Sequence, residues 1–341
     1  MNAGLRAYRR DAGWSQSELA ERCGISRQTI GAIESGRHVP SVAAALAIAG
    51  ALATTVEALF GPRDAPRSAL TVSGEPSDGP VRVARVGDHL VAAPIAYGIA
   101  EPEQWALADA SLHAGRLSLF EDIGLDGLVV AGCDPALGIL ARMVERTSAQ
   151  RIVPVVASTG GALEALAAGR VHAVVVHAAV DRDLDPPCPV QRRHLARWQV
   201  GVASARASGV PSIDEIASRR LRVVQRDPGA GAQQAFVRAL EDAGAPGQLP
   251  GPVASGHLDS ARRVHDGAVA GLTIEAAARS FDLRFVPLEL HTVEVWLATR
   301  WVEHPAASRF IEMLHAPGFR RRLELIGGYD LTWCGTERLA G

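Results

Sequence analysis

The sequence predicts an α plus α/β protein: an N-terminal all-α bundle, a small β-rich connector, and a two-lobed α/β domain behind. Three observations carry that expectation. Short helical periods broken by turn signals fill residues 1–60, a breaker-rich stretch follows, and short apolar runs alternate with helical ones from residue 125 onward. A length of 341 residues exceeds one ordinary domain at ~100 to 200 residues each. Hydrophobic residues at 48% and charged residues at 21% supply a large core and argue against disorder over most of the chain. All 35 basic residues are Arg, and the formal net charge of −2 excludes a uniformly basic nucleic-acid coat while allowing a small local DNA-binding face.

The N-terminus shows no basic start followed by an apolar run, and no stretch reaches the ~18 apolar residues of a membrane span, so a cytoplasmic chain without a membrane partner is expected. Cys23, Cys133, Cys188 and Cys334 lie far apart with no paired spacing. Neither a zinc site nor a disulfide framework is expected from them, and no metal or cofactor is assigned.

The helical elements come first. Leu5, Tyr8 and Arg9 open one helix. Ser15 followed by Glu18 forms a capping box, because the hydroxyl accepts from the Glu18 amide while the carboxylate reaches back to the Ser15 amide. A helix from about Gln16 to Cys23 follows, then Gly24 for a tight turn and Ile25 as an apolar plug. Ser26 caps a second helix through about Glu34, with Ile30 and Ile33 facing inward. Two such helices make a helix-turn-helix.

The segments Trp14-Ser15-Gln16-Ser17-Glu18-Leu19-Ala20, Gly24-Ile25-Ser26-Arg27-Gln28-Thr29-Ile30, Ile33-Glu34-Ser35-Gly36-Arg37 and Pro40-Ser41 resemble the Cro/repressor-type helix-turn-helix, the xenobiotic-response-element family. The resemblance runs through Leu59-Phe60, where a fourth helix (about 41–52) and a fifth close the bundle. It implies that the second helix of the motif enters the major groove, with Ser26 at its cap and Arg27, Gln28 and Thr29 against base edges. Arg suits guanine and Gln suits adenine, each through two hydrogen bonds. Gln16 and Arg37 are expected to hold phosphates, which positions without specifying. The alternative is that Arg27 and Gln28 merely solvate an exposed helix face. Segment 1–60 carries six Arg against five acids, so affinity needs two copies on a repeated half-site, and a homodimer is the expectation.

Residues 62–80 read as a linker, rich in Gly, Pro and Ser. A connector over 81–125 starts with a hairpin turning at or near Gly87-Asp88, flanked by Val81, Val83, Val86 and Leu90-Val91-Ala92. A second extended pair is expected at 105–112 and 116–120. Behind it, 126–331 forms the two-lobed domain and 332–341 a tail. Strands are expected at 128–130, 152–156, 171–176, 200–202, 221–224, 268–272 and 284–286, with helices between most of them, which predicts parallel sheets. The short runs Arg192-Arg193-His194 and Arg320-Arg321-Arg322 read as solvated faces.

This pattern resembles the type-2 periplasmic-binding-protein fold in its version fused behind a helix-turn-helix and related to molybdate-binding domains. The residues carrying it are Val130-Ala131-Gly132-Cys133-Asp134-Pro135-Ala136-Leu137, Ser158-Thr159-Gly160-Gly161, His172-Ala173 with His177, Gln225-Arg226, Gly229-Ala230-Gly231, His257-Leu258, Ala270-Gly271-Leu272 with Thr273 beyond, and Gly327-Gly328-Tyr329-Asp330. It implies a ligand in the crevice between lobes, where helix N-termini present amides. The ligand residues it points to are Cys133, Asp134, Ser158, Thr159, Gly160, His177, Arg226, Gly229, Ala230, Gly231 and Thr273. Two small-residue loops at helix starts favour a small oxyanion such as molybdate. Relatives carry hydroxyls and an Arg where this chain has Ala230, Ala232 and Gln233, and a Ser where it has Cys133; these departures remove donors an oxyanion would use and weaken the case for molybdate, leaving open a polar organic metabolite or an anion held mostly by backbone amides. Turn chemistry and helix capping explain the same loops without a ligand. No Cys or His is locally paired as a catalytic set, and no catalytic residue is assigned.

The combined expectation is a regulator that binds a double-stranded operator and whose affinity a small ligand modulates. The alternatives are a cytoplasmic ligand-binding protein or enzyme that uses the helix-turn-helix only for assembly, and a regulator whose rear domain only dimerises.

Overall fold

Short polar caps and a few apolar side chains set the front of the chain. In a computed structural model, which describes residues 3–60, 67–75, 77–95, 107–120, 124–247 and 249–338, five helices occupy the first sixty residues. They are α1 (Ala3–Asp11), α2 (Gln16–Cys23), α3 (Arg27–Glu34), α4 (Val42–Ala51) and α5 (Val56–Phe60). The Ser15/Glu18 capping box is formed in both directions, and Gly24 closes α2 in the left-handed conformation at φ 67°. No helix here is long enough to be stable alone, and stability comes from a shared core of Leu5, Leu19, Ala20, Ile30, Ile33, Ile48, Ala49 and Leu59.

The chain divides into two compact units, Met1–Arg67 with Arg116–Ile123, and Ser68–Gly115 with Gly124–Gly341. Residues 67–119 supply six strands: β1 (Arg67–Ser68), β2 (Leu70–Thr71), β3 (Gly79–Val86), β4 (His89–Pro94), β5 (Ala110–His113) and β6 (Arg116–Leu119). The expected hairpin is β3/β4, with Val86 opposite His89 across Gly87-Asp88. β2 adds parallel to β4 and β5 antiparallel to β3. The stretch read as linker therefore contributes strands, and residues 105 and 106 of the second expected pair lie outside the described residues. Nor is the hairpin a free-standing connector. Val86 and Val91 share a core with Val129, Val153, Ala162 and Leu166 of the large domain.

The large domain runs β7 (Leu128–Gly132), α6 (Ala136–Thr147), β8 (Ile152–Val156), α7 (Thr159–Ala167), β9 (Ala173–Ala179), β10 (Val190–Ser204), α8 (Ile213–Ser218), β11 (Gln225–Arg226), α9 (Gly231–Asp242), β12 (Val253–Ala254), α10 (His257–His265), β13 (Gly271–Ile274), α11 (Glu275–Ser280), β14 (Arg284–Ala298), α12 (Pro305–His315) and α13 (Pro317–Ile326). One mixed sheet has the order β13-β10-β14-β9-β7-β8, and β11 and β12 pair in parallel beside it. The first lobe is the parallel trio β8-β7-β9 with α6 and α7. The second is built from α8 to α11 with β11, β12 and β13, over a core of Val202, Ile216, Phe236, Leu240 and Leu272.

Two strands join the lobes, and the sheet differs from the all-parallel expectation because of them. β10 and β14 are each 15 residues long and antiparallel, paired from Val190↔Ala298 to Ser204↔Arg284. Their first-lobe half meets β9 and their second-lobe half meets β13. Only 200–202 and 284–286 were expected as strand, since Arg192, Arg193, His194 and Arg197 break the apolar pattern. Those charges are accommodated by partners far along the chain. Arg192 is buried against Glu294 (2.8 Å) and Asp183 (2.5 Å), so that run is not the solvated face expected of it, and Arg193 reaches Glu337 at 3.0 Å. Residues 221–223 are not strand; Val224 makes one bridge to Gly271. Where the long pair shifts register after Val200, Gly201 lets the backbones close up, since a Cβ there would lie 2.1 Å from the Val286 carbonyl oxygen.

Candidate functional site

Two constellations emerge, one in each unit. In the helical unit, the Ser26 hydroxyl caps α3, accepting from the Thr29 amide at 3.0 Å and lying 2.8 Å from the Thr29 hydroxyl. That pairing fixes the first turn of α3 and leaves Arg27 and Gln28 exposed, with Thr29 half-buried. The other end of α3 is locked from beneath. Glu34 accepts from Arg9 Nε at 2.6 Å and Nη2 at 3.2 Å, and from Gln16 Nε2 at 2.8 Å. Burial pushes the Glu34 carboxyl up, but the bonds from Arg9 and Gln16 outweigh it and hold the group below the ordinary glutamate range. Gln16, expected to hold a phosphate, thus has its amide nitrogen engaged within the bundle. Arg37 is exposed, its Nε on the Ser35 hydroxyl at 2.8 Å.

In the large domain the expected crevice residues do converge, but they are bonded mainly to each other. Ser158 caps α7 through the Gly161 amide at 3.1 Å, and the Thr159 hydroxyl lies against the His177 backbone. The Gly160 amide donates to the Gly229 carbonyl at 3.0 Å, drawing the two small-residue loops together across the lobes. Gly229 and Ala230 donate to Asp227, at 2.9 Å to its carboxylate and 2.8 Å to its carbonyl. Gly231 is small because the His177 ring packs on it, a Cβ there falling 2.7 Å from His177 Cε1. Gln233 holds the Arg226 amide and Gln225. Thr273 is fully buried and donates to the His257 carbonyl at 2.8 Å.

Beneath the loops lies a polar cluster. Asp134, following β7, accepts from the Ala136 amide (2.8 Å), Trp198 Nε1 (2.9 Å) and the Tyr329 hydroxyl (2.9 Å); burial nonetheless raises its carboxyl. The closing Gly327-Gly328-Tyr329 motif therefore meets the first one. Cys133 Sγ lies 3.2 Å from His177 Nε2, His177 Nδ1 lies 2.9 Å from His291 Nδ1, and His291 Nε2 lies 3.0 Å from Glu289, itself gripped by Arg238. Burial holds His177 and His257 well below the ordinary imidazole range and His291 below it, which favours the neutral form of each ring. The proton order follows from the end of the line. His291 donates from Nε2 to Glu289, accepts at Nδ1 from His177, and His177 turns the lone pair of Nε2 toward the Cys133 thiol. Burial pushes that thiol up to about 11, so it is a hydrogen-bond donor and not a thiolate nucleophile. On the second-lobe side, Arg226 Nη1 donates to His257 Nδ1 at 3.0 Å. Arg226 Nε and His257 Nε2 are buried without a hydrogen-bond partner. Cys133, His177 and His257 each bring one metal-ligating atom within 4.8 Å of the other two, a grouping their sequence spacing does not reveal.

Residues 141–315 match the family model of the PBP superfamily domain, and residues 5–59 match that of a helix-turn-helix. The chain belongs to the helix-turn-helix transcriptional regulators and carries a PBP superfamily domain. The regulator's N-terminal segment is 52% identical over 48 residues to an uncharacterised HTH-type transcriptional regulator of Methanothermobacter thermautotrophicus, covering 14% of this chain and 70% of the relative. It is 41% identical over 56 residues to the uncharacterised HTH-type transcriptional regulator YgzD of Bacillus subtilis, covering 16% and 85%. Among solved structures, a phosphate ABC transporter substrate-binding protein from Clostridium perfringens matches 60% of the regulator and 98% of its own chain, at 11% identity and a TM-score of 0.48. A LysR substrate-binding domain from Wolinella succinogenes matches 59% and 100%, at 14% identity and a TM-score of 0.38.

Sequence reasoning did not find His291, Glu289 or Trp198. Glu289 and His291 stand two apart on one strand, so their shared face was readable only once β14 was known as a strand. Among the described residues no helix is long and apolar enough to cross a membrane.

Proposed function

We propose that the regulator reads a double-stranded operator as a homodimer through Arg27 and Gln28, and that a small ligand held between the lobes of the rear domain modulates that affinity. The observation that carries the reading is the exposed first turn of α3, fixed by Ser26 and Thr29 and anchored below by Glu34. An Arg and a Gln held outward at that turn suit guanine and adenine edges, with the exposed Arg37 available to phosphate. A single copy of a bundle with six Arg against five acids has little electrostatic affinity, which supports binding as a pair on repeated half-sites.

The sensing half of the reading rests on Arg226 and His257, which belong to the second lobe, facing Cys133 and His177 from the first. A ligand touching both sides stabilises one lobe arrangement, and a coupling of ~1–3 kcal/mol changes operator affinity about 5- to 150-fold. Gly160, Gly229 and Ala230 act in this reading by shaping the lobe contact, since their amides already serve the fold, whereas the Ser158 hydroxyl accepts from Gly161 and keeps its own proton to donate.

Replacing Arg27 and Gln28 together by alanine is expected to weaken operator binding at least about 30-fold, from ~1–3 kcal/mol per base pair read. Thermal unfolding is expected to stay unchanged, because neither side chain contributes to the core. Fluorescence anisotropy with labelled operator measures the first and differential scanning calorimetry the second. Operator binding within threefold of the parent overturns the assignment of α3 as the reading helix.

A further inference from the structure

The buried cluster between the lobes holds more donor chemistry than a fold needs. Cys133, His177 and His257 converge within 4.8 Å, all buried, and two imidazoles with a thiolate favour a soft ion of low coordination number. His177 is already aimed for such a role: Glu289 and His291 fix its proton on Nδ1 and leave the Nε2 lone pair facing Cys133, the outer arrangement that orients metal-ligating histidines. Inside the same cluster sits the guanidinium of Arg226, 2% exposed, in no ion pair among the described residues, lying on His257 and Cys133 with its Nε unpartnered. A buried guanidinium that feels Asp227 and Asp259 only at a distance is costly, and here it occupies the place where the cluster offers electron pairs.

We propose that Cys133, His177 and His257 form a binding site for one copper(I) ion, and that the Arg226 guanidinium is the internal cation this ion displaces. Charge selects the monovalent ion. The Cys133 proton leaves to solvent as the S–Cu bond forms, so thiolate and Cu⁺ add no net charge beside Arg226, whereas a divalent ion adds a full unit among buried side chains. Arg226 must release His257 whichever nitrogen binds the ion. If Nδ1 binds, the guanidinium is in its place, and if Nε2 binds, the ring proton moves to Nδ1 and faces a donor. The ion joins the lobes, since Cys133 and His177 follow β7 and lie in β9 while His257 opens α10. Arg226 leads into the turn whose Gly229 carbonyl takes the Gly160 amide, so its displacement bears on the lobe contact. The consequence for DNA rests on the regulatory reading above; the ion site does not.

The full-length protein is titrated anaerobically with copper(I), delivered as its acetonitrile complex, against a chromogenic copper(I) chelator, with near-ultraviolet thiolate-to-copper absorption as a second signal. One ion per chain is expected. Cys133→Ser and His257→Gln are each expected to weaken binding at least about 100-fold, the upper range for loss of a metal-site partner. Arg226→Gln is expected to tighten it about tenfold or more, because the amide oxygen can accept the His257 proton and no guanidinium must move. That gain cannot arise from misfolding. An oxyanion site behaves oppositely: molybdate or phosphate binds, Arg226→Gln abolishes the binding, and copper(I) does not bind. That result overturns the proposal, as does copper(I) binding unchanged in Cys133→Ser, or uptake of Zn²⁺ with copper(I) excluded. Operator affinity of the loaded and metal-free protein is measured alongside. A site that binds as described with operator affinity the same within twofold leaves the ion site standing and removes its regulatory role.

Discussion

Glu34→Ala is expected to destabilise the helical unit by about 3–5 kcal/mol, the range for stripping one partner from a buried ion pair. The Glu34 side chain is 4% exposed and that of Arg9 10%, so the substitution leaves a guanidinium inside the bundle with, among the described residues, only the Trp14 carbonyl, at 2.6 Å, to receive it. Gln16 loses its partner as well. Since α3 is held through Glu34, operator binding falls with the fold, and the calorimetric transition of the helical unit moves down or disappears. Exchanging both partners, Arg9→Met with Glu34→Leu, is expected to recover most of the stability, because no unpaired charge remains. The Glu34 carboxyl is held below the ordinary range in the folded state, so its contribution is fully present above the unfolded value of ~4.3 and is lost as pH falls through the lower folded value. Melting curves between pH 3 and 6 should show that loss in the parent and a shallower one in Glu34→Gln. A Glu34→Ala protein within 1 kcal/mol of the parent contradicts the account of how α3 is anchored.

Asp134→Ala is expected to have the comparable effect in the large domain, about 3–5 kcal/mol, by stranding several buried donors at ~1–3 kcal/mol each. The Ala136 amide, Trp198 Nε1 and the Tyr329 hydroxyl all converge on this carboxylate, from the start of α6, from β10 and from the C-terminal end of the chain. Asp134→Asn keeps one acceptor oxygen and should lose less. Urea denaturation of the large domain measures both. An Asp134→Ala loss below about 1 kcal/mol means that Trp198 and Tyr329 find other acceptors, and the carboxylate then does not organise this end of the crevice.

The helical unit was legible because its signals are local. Ser15 with Glu18, Gly24, and Ser26 with Thr29 act within four residues of one another, and each forms the contact its spacing predicts. The long strands were illegible for the opposite reason. Arg192 looks like a solvent residue until Glu294, 102 positions away, is beside it. The Pro287, Glu289 and His291 of β14 likewise interrupt an apolar reading while lying in a continuous strand. At the crevice, Cys133, Asp134, His177 and Arg226 were singled out by order and residue type, and the fold does bring them together. Their chemistry was not readable, because it depends on which partner each has. Gly231 was read as an amide donor for an anion, and its smallness serves the His177 ring. The Ser158 hydroxyl was read as a ligand contact or a helix cap, and it does accept from the Gly161 amide as a cap. In both cases a local signal has two physical causes, and the sequence alone does not separate them.

The central claim, that exposed residues of α3 read a base sequence as part of a paired assembly, is tested most directly by selecting DNA from a random duplex pool with the full-length chain and repeating the selection with Arg27→Ala and Gln28→Ala singly. The account predicts two copies of one short motif at a fixed spacing, with preference relaxed at the same position in both copies and at a different position for each substitution. A motif that survives both substitutions unchanged, or no enriched sequence at all from the parent, contradicts it.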